Sequence, residues 1–132
     1  MNEDFVTYEL SKKLKEKWFD EPCYGYYHCN GGNDSFELCG NGDCDFLNSK
    51  NKHRIAAPTI PQVLKWLREE KKIYIVIAVN PTLSTKDKIA YYYQVYSNCN
   101  GVTSDYYESE EWYAQWEECA MDSIEYVLDN LI

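Results

Sequence analysis

Six cysteines and two histidines are the residues of this sequence best suited to chemistry. Cys23, Cys29, Cys39 and Cys44 fall within a span of 22 residues, with His28 and His53 close by. Thiolate and imidazole are the donors a tetrahedral zinc ion takes, and bound zinc can hold a segment that lacks a core of its own. Cys39-Gly-Asn-Gly-Asp-Cys44 has the glycine-containing gap of four residues that a metal knuckle tolerates. Against this, there is no Cys-x-x-Cys, and five residues separate Cys23 from Cys29. The candidate ligands are Cys29, Cys39, Cys44 and His53, with Cys23 or His28 as alternates. The plainer account makes Cys23 a small core residue and the rest ordinary loop thiols.

Other chemistries fit less well. Asn30, Asn33, Asp34, Asp43 and Asp45 suggest a calcium loop, but the EF-hand spacing and its closing bidentate Glu are missing, and turn chemistry accounts for these residues. Cys44 with His53, oriented by Asp43 or Asp45, would make a nucleophile pair, yet no enzyme signature surrounds either residue. The Gly31-Gly32 and Gly40/Gly42 runs do not lead into a helix start, so no amide cradle for phosphate is present.

Charge gives the clearest functional signal. The net charge is −9. Residues 1–88 carry all 13 Lys and Arg balanced by 13 acids, whereas residues 89–132 carry nine acids and no Lys or Arg. That half cannot neutralise phosphates, which argues against direct nucleic-acid binding. Carboxylates interleaved with aromatics suit contact with a basic protein surface. The expected interaction surface comprises Tyr107, Glu110, Glu111, Tyr113, Glu117, Glu118 and Asp122, on the outer face of a C-terminal helix. The alternative is a solvated helix face.

The elements that must position these residues follow from spacing. The length of 132 residues suits one domain, and the 45% apolar content suits a packed core. Thr7 caps a first helix with Leu10, Leu14 and Trp18 on one stripe, stopped by Pro22. Cys23–His28 reads as a strand with Cys23, Gly25 and Tyr27 on one face. Residues 29–57 read as an irregular Cys/Asn/Gly-rich insert with a short strand near 35–38 and an exposed loop at 48–52. Thr59-Ile-Pro-Gln62 fits a capping box opening a helix to Lys71, with Ile60, Val63, Leu64 and Leu67 buried. Ile73–Val79 reads as a central strand pairing antiparallel with Ile89–Tyr96. Ser109 caps a last helix from Glu110 to Asn130, with Trp112, Trp116, Ala120, Ile124, Val127 and Leu131 inward. The fold class is α+β: three helices on a small antiparallel sheet of about three strands, in the order α-β-(insert)-α-β-β-α.

Three stretches carry a resemblance. Phe5-Val-Thr-Tyr-Glu9 with Trp18-Phe-Asp-Glu-Pro-Cys23, then Ala57-Pro-Thr-Ile-Pro-Gln-Val-Leu-Lys-Trp-Leu-Arg-Glu69, then Tyr107-Glu-Ser-Glu-Glu111 resemble an uncharacterised family of small proteins from Bacteroides and their phages or prophages. The resemblance implies a phage or mobile-element setting and no activity; from that setting alone, a host factor with a basic surface is a candidate partner. The insert at 29–50 departs from the short connection expected there. No apolar run reaches the length of about 20 residues that a membrane span needs. Acidic residues near Met1 do not resemble a secretory leader, so a cytoplasmic location is expected, with free thiols. Tyrosine-rich strand edges also allow a homodimer.

Overall fold

The computed structural model describes residues 4–39, 46–98 and 105–132. The chain, read above as one domain, groups into two compact units: residues 1–60 with Ile132, and residues 61–131. The class is α+β, and the described residues form three helices and two three-stranded antiparallel sheets rather than one.

In the first unit, α1 spans Tyr8–Glu16, and the Thr7 hydroxyl accepts from the Leu10 amide as its cap. Leu10 and Leu14 are buried as the spacing requires. Trp18 is not: it is 87% exposed, and Phe19 takes the buried place. The cause is how the helix ends. Trp18 turns into the left-handed region at φ 67°, its N–H bonds the Lys15 carbonyl, and the Phe19 N–H bonds the Leu14 carbonyl. This is a Schellman closure, with buried Leu14 and Phe19 as its apolar pair.

The first sheet has the order β2-β1-β3, built from β1 (Gly25–His28), β2 (Glu37–Leu38) and β3 (Arg54–Ala57). β1 alternates as the sequence suggests, with Gly25 and Tyr27 buried and Tyr26 and His28 half-buried. The short strand expected near 35–38 is β2, and β3 corrects the reading of the rest of residues 29–57 as irregular. Ile55, Ala56 and Ala57 are all buried, and β3 pairs with the full length of β1. Tyr8, Tyr27, Ile55 and Ala57 form a core, with Phe36 against it. A Cβ at Gly25 would lie 2.7 Å from the Phe36 ring, so the close approach of Phe36 calls for glycine there. Asn48 opens a 3-10 turn (Asn48–Lys50) and is buried, not part of an exposed loop. Its Nδ2 donates to the Phe19 carbonyl at 2.9 Å, and its Oδ1 accepts from the Ala56 amide at 2.8 Å.

In the second unit, α2 (which opens at Ile60 and runs to Glu70) buries Val63, Trp66 and Leu67, while Leu64 is only half-buried. The second sheet has the order β4-β5-β6, with β4 Tyr74–Val79, β5 Tyr91–Ser97 and β6 Asp105–Glu108. β4 and β5 pair antiparallel as expected, with Ile75 opposite Val95 and Ile77 opposite Tyr93. β4 is an edge strand, however, and β5 is central. An apolar strand need not lie in the middle of a sheet; the Val76 side chain remains 43% exposed.

α3 spans Trp116–Asn130 and packs on β5 and β4. Cys119, Ala120, Ile124, Val127 and Leu128 are buried on it. The helix starts six residues later than the Glu110 start expected from the sequence. Residues 109–113 instead continue along β5. Ser109 N–H bonds the Tyr93 carbonyl, its hydroxyl accepts from the Tyr93 amide, and Tyr91 and Tyr113 exchange two backbone bonds. Pairing with a strand wins over helix capping here, consistent with the β-preference of tyrosine and tryptophan. Trp112 is therefore 44% exposed rather than in a helix stripe, and Tyr113 is 8% exposed rather than at a helix edge. Among the described residues, no helix is long and apolar enough to cross a membrane.

Candidate functional site

The second unit contains a cavity of about 310 Å³ between its sheet and α3. β5 contributes Tyr93, and β6 contributes Tyr107. The segment after β6 contributes Ser109, Glu110, Glu111 and Tyr113. α3 contributes Asp122, Glu125, Tyr126 and Asp129, at helical spacings of three, four and seven from Asp122. That spacing sets them on one helix face, which is why one wall of the cavity can be both acidic and aromatic.

The most buried rings lining the cavity are Tyr93, 5% exposed, and Tyr113, 8% exposed. Tyr93 is the hub of a ring cluster, with centroids 6.1 Å from Tyr107, 6.3 Å from Tyr113 and 6.4 Å from Tyr126. Tyr107 and Tyr126 stack at 3.9 Å with planes 10° apart. These are favourable aromatic distances and add to the area that the rings bury. Glu110, Glu111, Asp122, Glu125 and Asp129 are all exposed around the rings.

The electrostatics follow from this layout. Burial pushes the Tyr113 phenol well above its ordinary value, and its hydrogen bond to Asp122 and the Asp122 charge push further. Burial likewise raises Tyr93, followed by Tyr107 and the Asp122 charge. Burial, the larger cause, penalises a charge of either sign; the Asp122 contribution alone reflects a negative potential, which attracts a cation at the exposed rim. Cys119, buried on α3, is raised to about 12 by burial and then by Asp122 and Glu118.

Comparison with known proteins gives no match to a family model, to a curated protein or to a solved structure.

Of the expected interaction surface, Tyr107, Glu110, Glu111, Tyr113 and Asp122 meet at this cavity. Glu117 and Glu118 do not line it; they sit in the first turn of α3. Tyr93 and Tyr126 were not singled out by sequence. Tyr93 was one of many tyrosines on a strand, and only the strand register marks it as the one beneath α3. Tyr126 carried a usable signal, since it lies one helical turn after Asp122.

The cysteine cluster does not assemble among the described residues. Cys29 pairs with His53 through its amide, at 2.9 Å to the His53 carbonyl. Cys39 instead donates its amide to Tyr24 and its thiol to the Cys23 carbonyl. Tyr24 and Cys29 are five residues apart along an extended strand, roughly 16 Å at 3.3 Å per residue. Zinc–ligand bonds of about 2.0–2.3 Å cannot span that gap, so Cys39 and the Cys29/His53 pair cannot share an ion. His28 is engaged elsewhere, with Nε2 2.7 Å from a Glu37 carboxylate oxygen. Among the described residues, no group of three or more His, Cys, Asp or Glu is placed to hold a metal. Cys44, with its Asp43 and Asp45 neighbours, lies outside the described residues, and so does that part of the zinc, calcium and nucleophile expectations. Asn33, a calcium candidate, accepts from the Tyr8 amide instead.

The face of the second sheet formed by Tyr74, Val76, Gln94, Tyr96 and Tyr106 is open or half-open. Tyr106 there accepts from Gln94 and donates to Glu108. Next to this face, Trp112 packs edge-on against Tyr92 at 5.2 Å.

Proposed function

We propose that this is a small, non-catalytic accessory protein of a phage or prophage, working in the cytoplasm, that binds a protein partner with a basic surface. The contact is the tyrosine and carboxylate cavity of the second unit. One observation supports the reading above others: five of the seven residues expected from sequence to form an interaction surface converge on one cavity. The neighbouring chain adds to it, because residues 89–132 offer no Lys or Arg of their own. Buried aromatics surrounded by polar groups are the composition of binding hot spots, and a complementary potential speeds encounter and selects partners.

Titration calorimetry with a lysine- and arginine-rich peptide tests this. Binding should weaken as salt rises from 50 to 300 mM, and charge reversal at Glu110 and Glu111 should weaken it by about tenfold or more, in line with buried-charge effects at interfaces. Both residues are exposed, so the folded state should tolerate the change. Unchanged affinity in the reversed variant would remove the cavity from the account.

A further inference from the structure

The chemistry of the cavity narrows the cation it takes, an inference that rests on the reading just given. We propose that the group is a guanidinium, the end of an arginine side chain on an exposed segment of the partner. Two features separate it from an ammonium.

The first is shape. One wall of the cavity is aromatic: half-buried Tyr107 and Tyr126 stack on each other with planes 10° apart, leaving only the outer sides of the pair to a guest, and Tyr93 is tilted 39° and 48° to them. A planar, weakly hydrated guanidinium stacks on such rings, whereas a compact ammonium keeps a tight water shell that a ring surface cannot replace. The second is the placement of charge. Glu110 and Glu111 come from the segment after β6, and Asp122 from α3, so carboxylates approach from two separate elements. A flat fork of five N–H donors reaches acceptors on both sides at once; a point charge satisfies one side at a time. The cavity volume of about 310 Å³ falls at the small end of the range for ligand pockets, which suits one side chain better than a nucleotide or an oligomeric ligand.

The experiment uses the full chain and three heptapeptides that are identical except at the central position, which is arginine, lysine or neutral citrulline. Affinity is read by calorimetry in low-salt buffer. The arginine peptide should bind about tenfold tighter than the lysine peptide, and the citrulline peptide should lose binding. Replacing one ring of the stack, Tyr126→Leu, should lower arginine-peptide affinity about tenfold and leave lysine-peptide affinity within twofold, with a thermal melt confirming that the variant is folded. Arginine and lysine binding within twofold of each other would overturn the guanidinium assignment while leaving a cation site in place. Binding of neither charged peptide, or equal binding of citrulline, would overturn the cation reading itself. If Tyr126→Leu does not fold, Asp122→Asn takes its place, and an unchanged arginine-to-lysine ratio in that variant counts against the proposal.

Discussion

Asn48 ties two parts of the first unit together, and removing its amide should cost more than its position in a polar stretch suggests. Both of its bonds are buried, one given to the Phe19 carbonyl and one taken from the Ala56 amide. In Asn48→Ala the Ala56 N–H loses its partner at a fully buried strand position, a cost of about 1–3 kcal/mol. The Phe19 carbonyl loses a donor as well. Phe19 and Asn48 border a cavity of about 410 Å³, where water can reach a vacated acceptor, so this part should stay near 1 kcal/mol. The total is about 2–4 kcal/mol, read as a lower denaturant midpoint at unchanged slope by circular dichroism. Asn48→Asp sharpens the test. Its carboxylate still accepts from Ala56 but faces the Phe19 carbonyl with no proton to give. Burial should raise its folded pKa above the ordinary 3.9, so the variant should be closest to wild type below pH 4 and lose ground as pH rises through that folded value. A loss under about 0.5 kcal/mol in Asn48→Ala, or no pH dependence in Asn48→Asp relative to wild type, would refute the reasoning.

Trp18→Gly should raise stability slightly, by about 0.5–1 kcal/mol over Trp18→Ala, because only glycine adopts φ 67° without strain and the indole is almost wholly in water; a less stable glycine variant in urea melts would refute this. Tyr93 and Tyr113 are held protonated above the ordinary phenol value, so the stability they contribute is complete below pH 10 and lost as pH climbs above it. The fall in stability from pH 9 to pH 11, followed by denaturant melts, should shrink in the Tyr93→Phe, Tyr113→Phe double variant. Cys119, with its thiol raised to about 12 and its side chain buried, should resist alkylation by iodoacetamide at pH 8 until denaturant is added; rapid native-state labelling at Cys119, read by peptide mass, would contradict its placement.

Much of the local structure was legible in the residues themselves. Thr7 as a cap, the β4–β5 pairing and the inward places of Ala120, Ile124 and Val127 follow from short-range periodicity and side-chain chemistry, whereas Leu131, expected inward, lies past the end of α3 and is 38% exposed. What escaped was decided by partners distant in sequence. Trp18 fits an apolar stripe until the helix closes one residue earlier and hands the position to Phe19. Ile55-Ala56-Ala57 carries too little bulk to announce a strand and becomes one because β1 lies beside it. Ser109 is a good helix cap in isolation, but β5 takes it for strand pairing and delays α3 to Trp116. The site divides the same way. Its carboxylates were legible because the charge asymmetry is a property of composition. Its two most buried rings were split: Tyr113 was expected, at the edge of a helix, and Tyr93 was not, because burial depends on register. The cysteines show the converse, since closeness along the chain gave Cys29 and Cys39 no closeness in space.

The most direct test of the account is to locate the bound cation. Amide and aromatic chemical shifts of the full chain would be followed during titration with the arginine heptapeptide. The account predicts saturable shifts centred on Tyr93, Tyr107, Tyr113, Asp122 and Tyr126, with Trp18 and the first sheet unmoved. Shifts confined to the first unit, or spread evenly over the exposed acids without saturation, would contradict it.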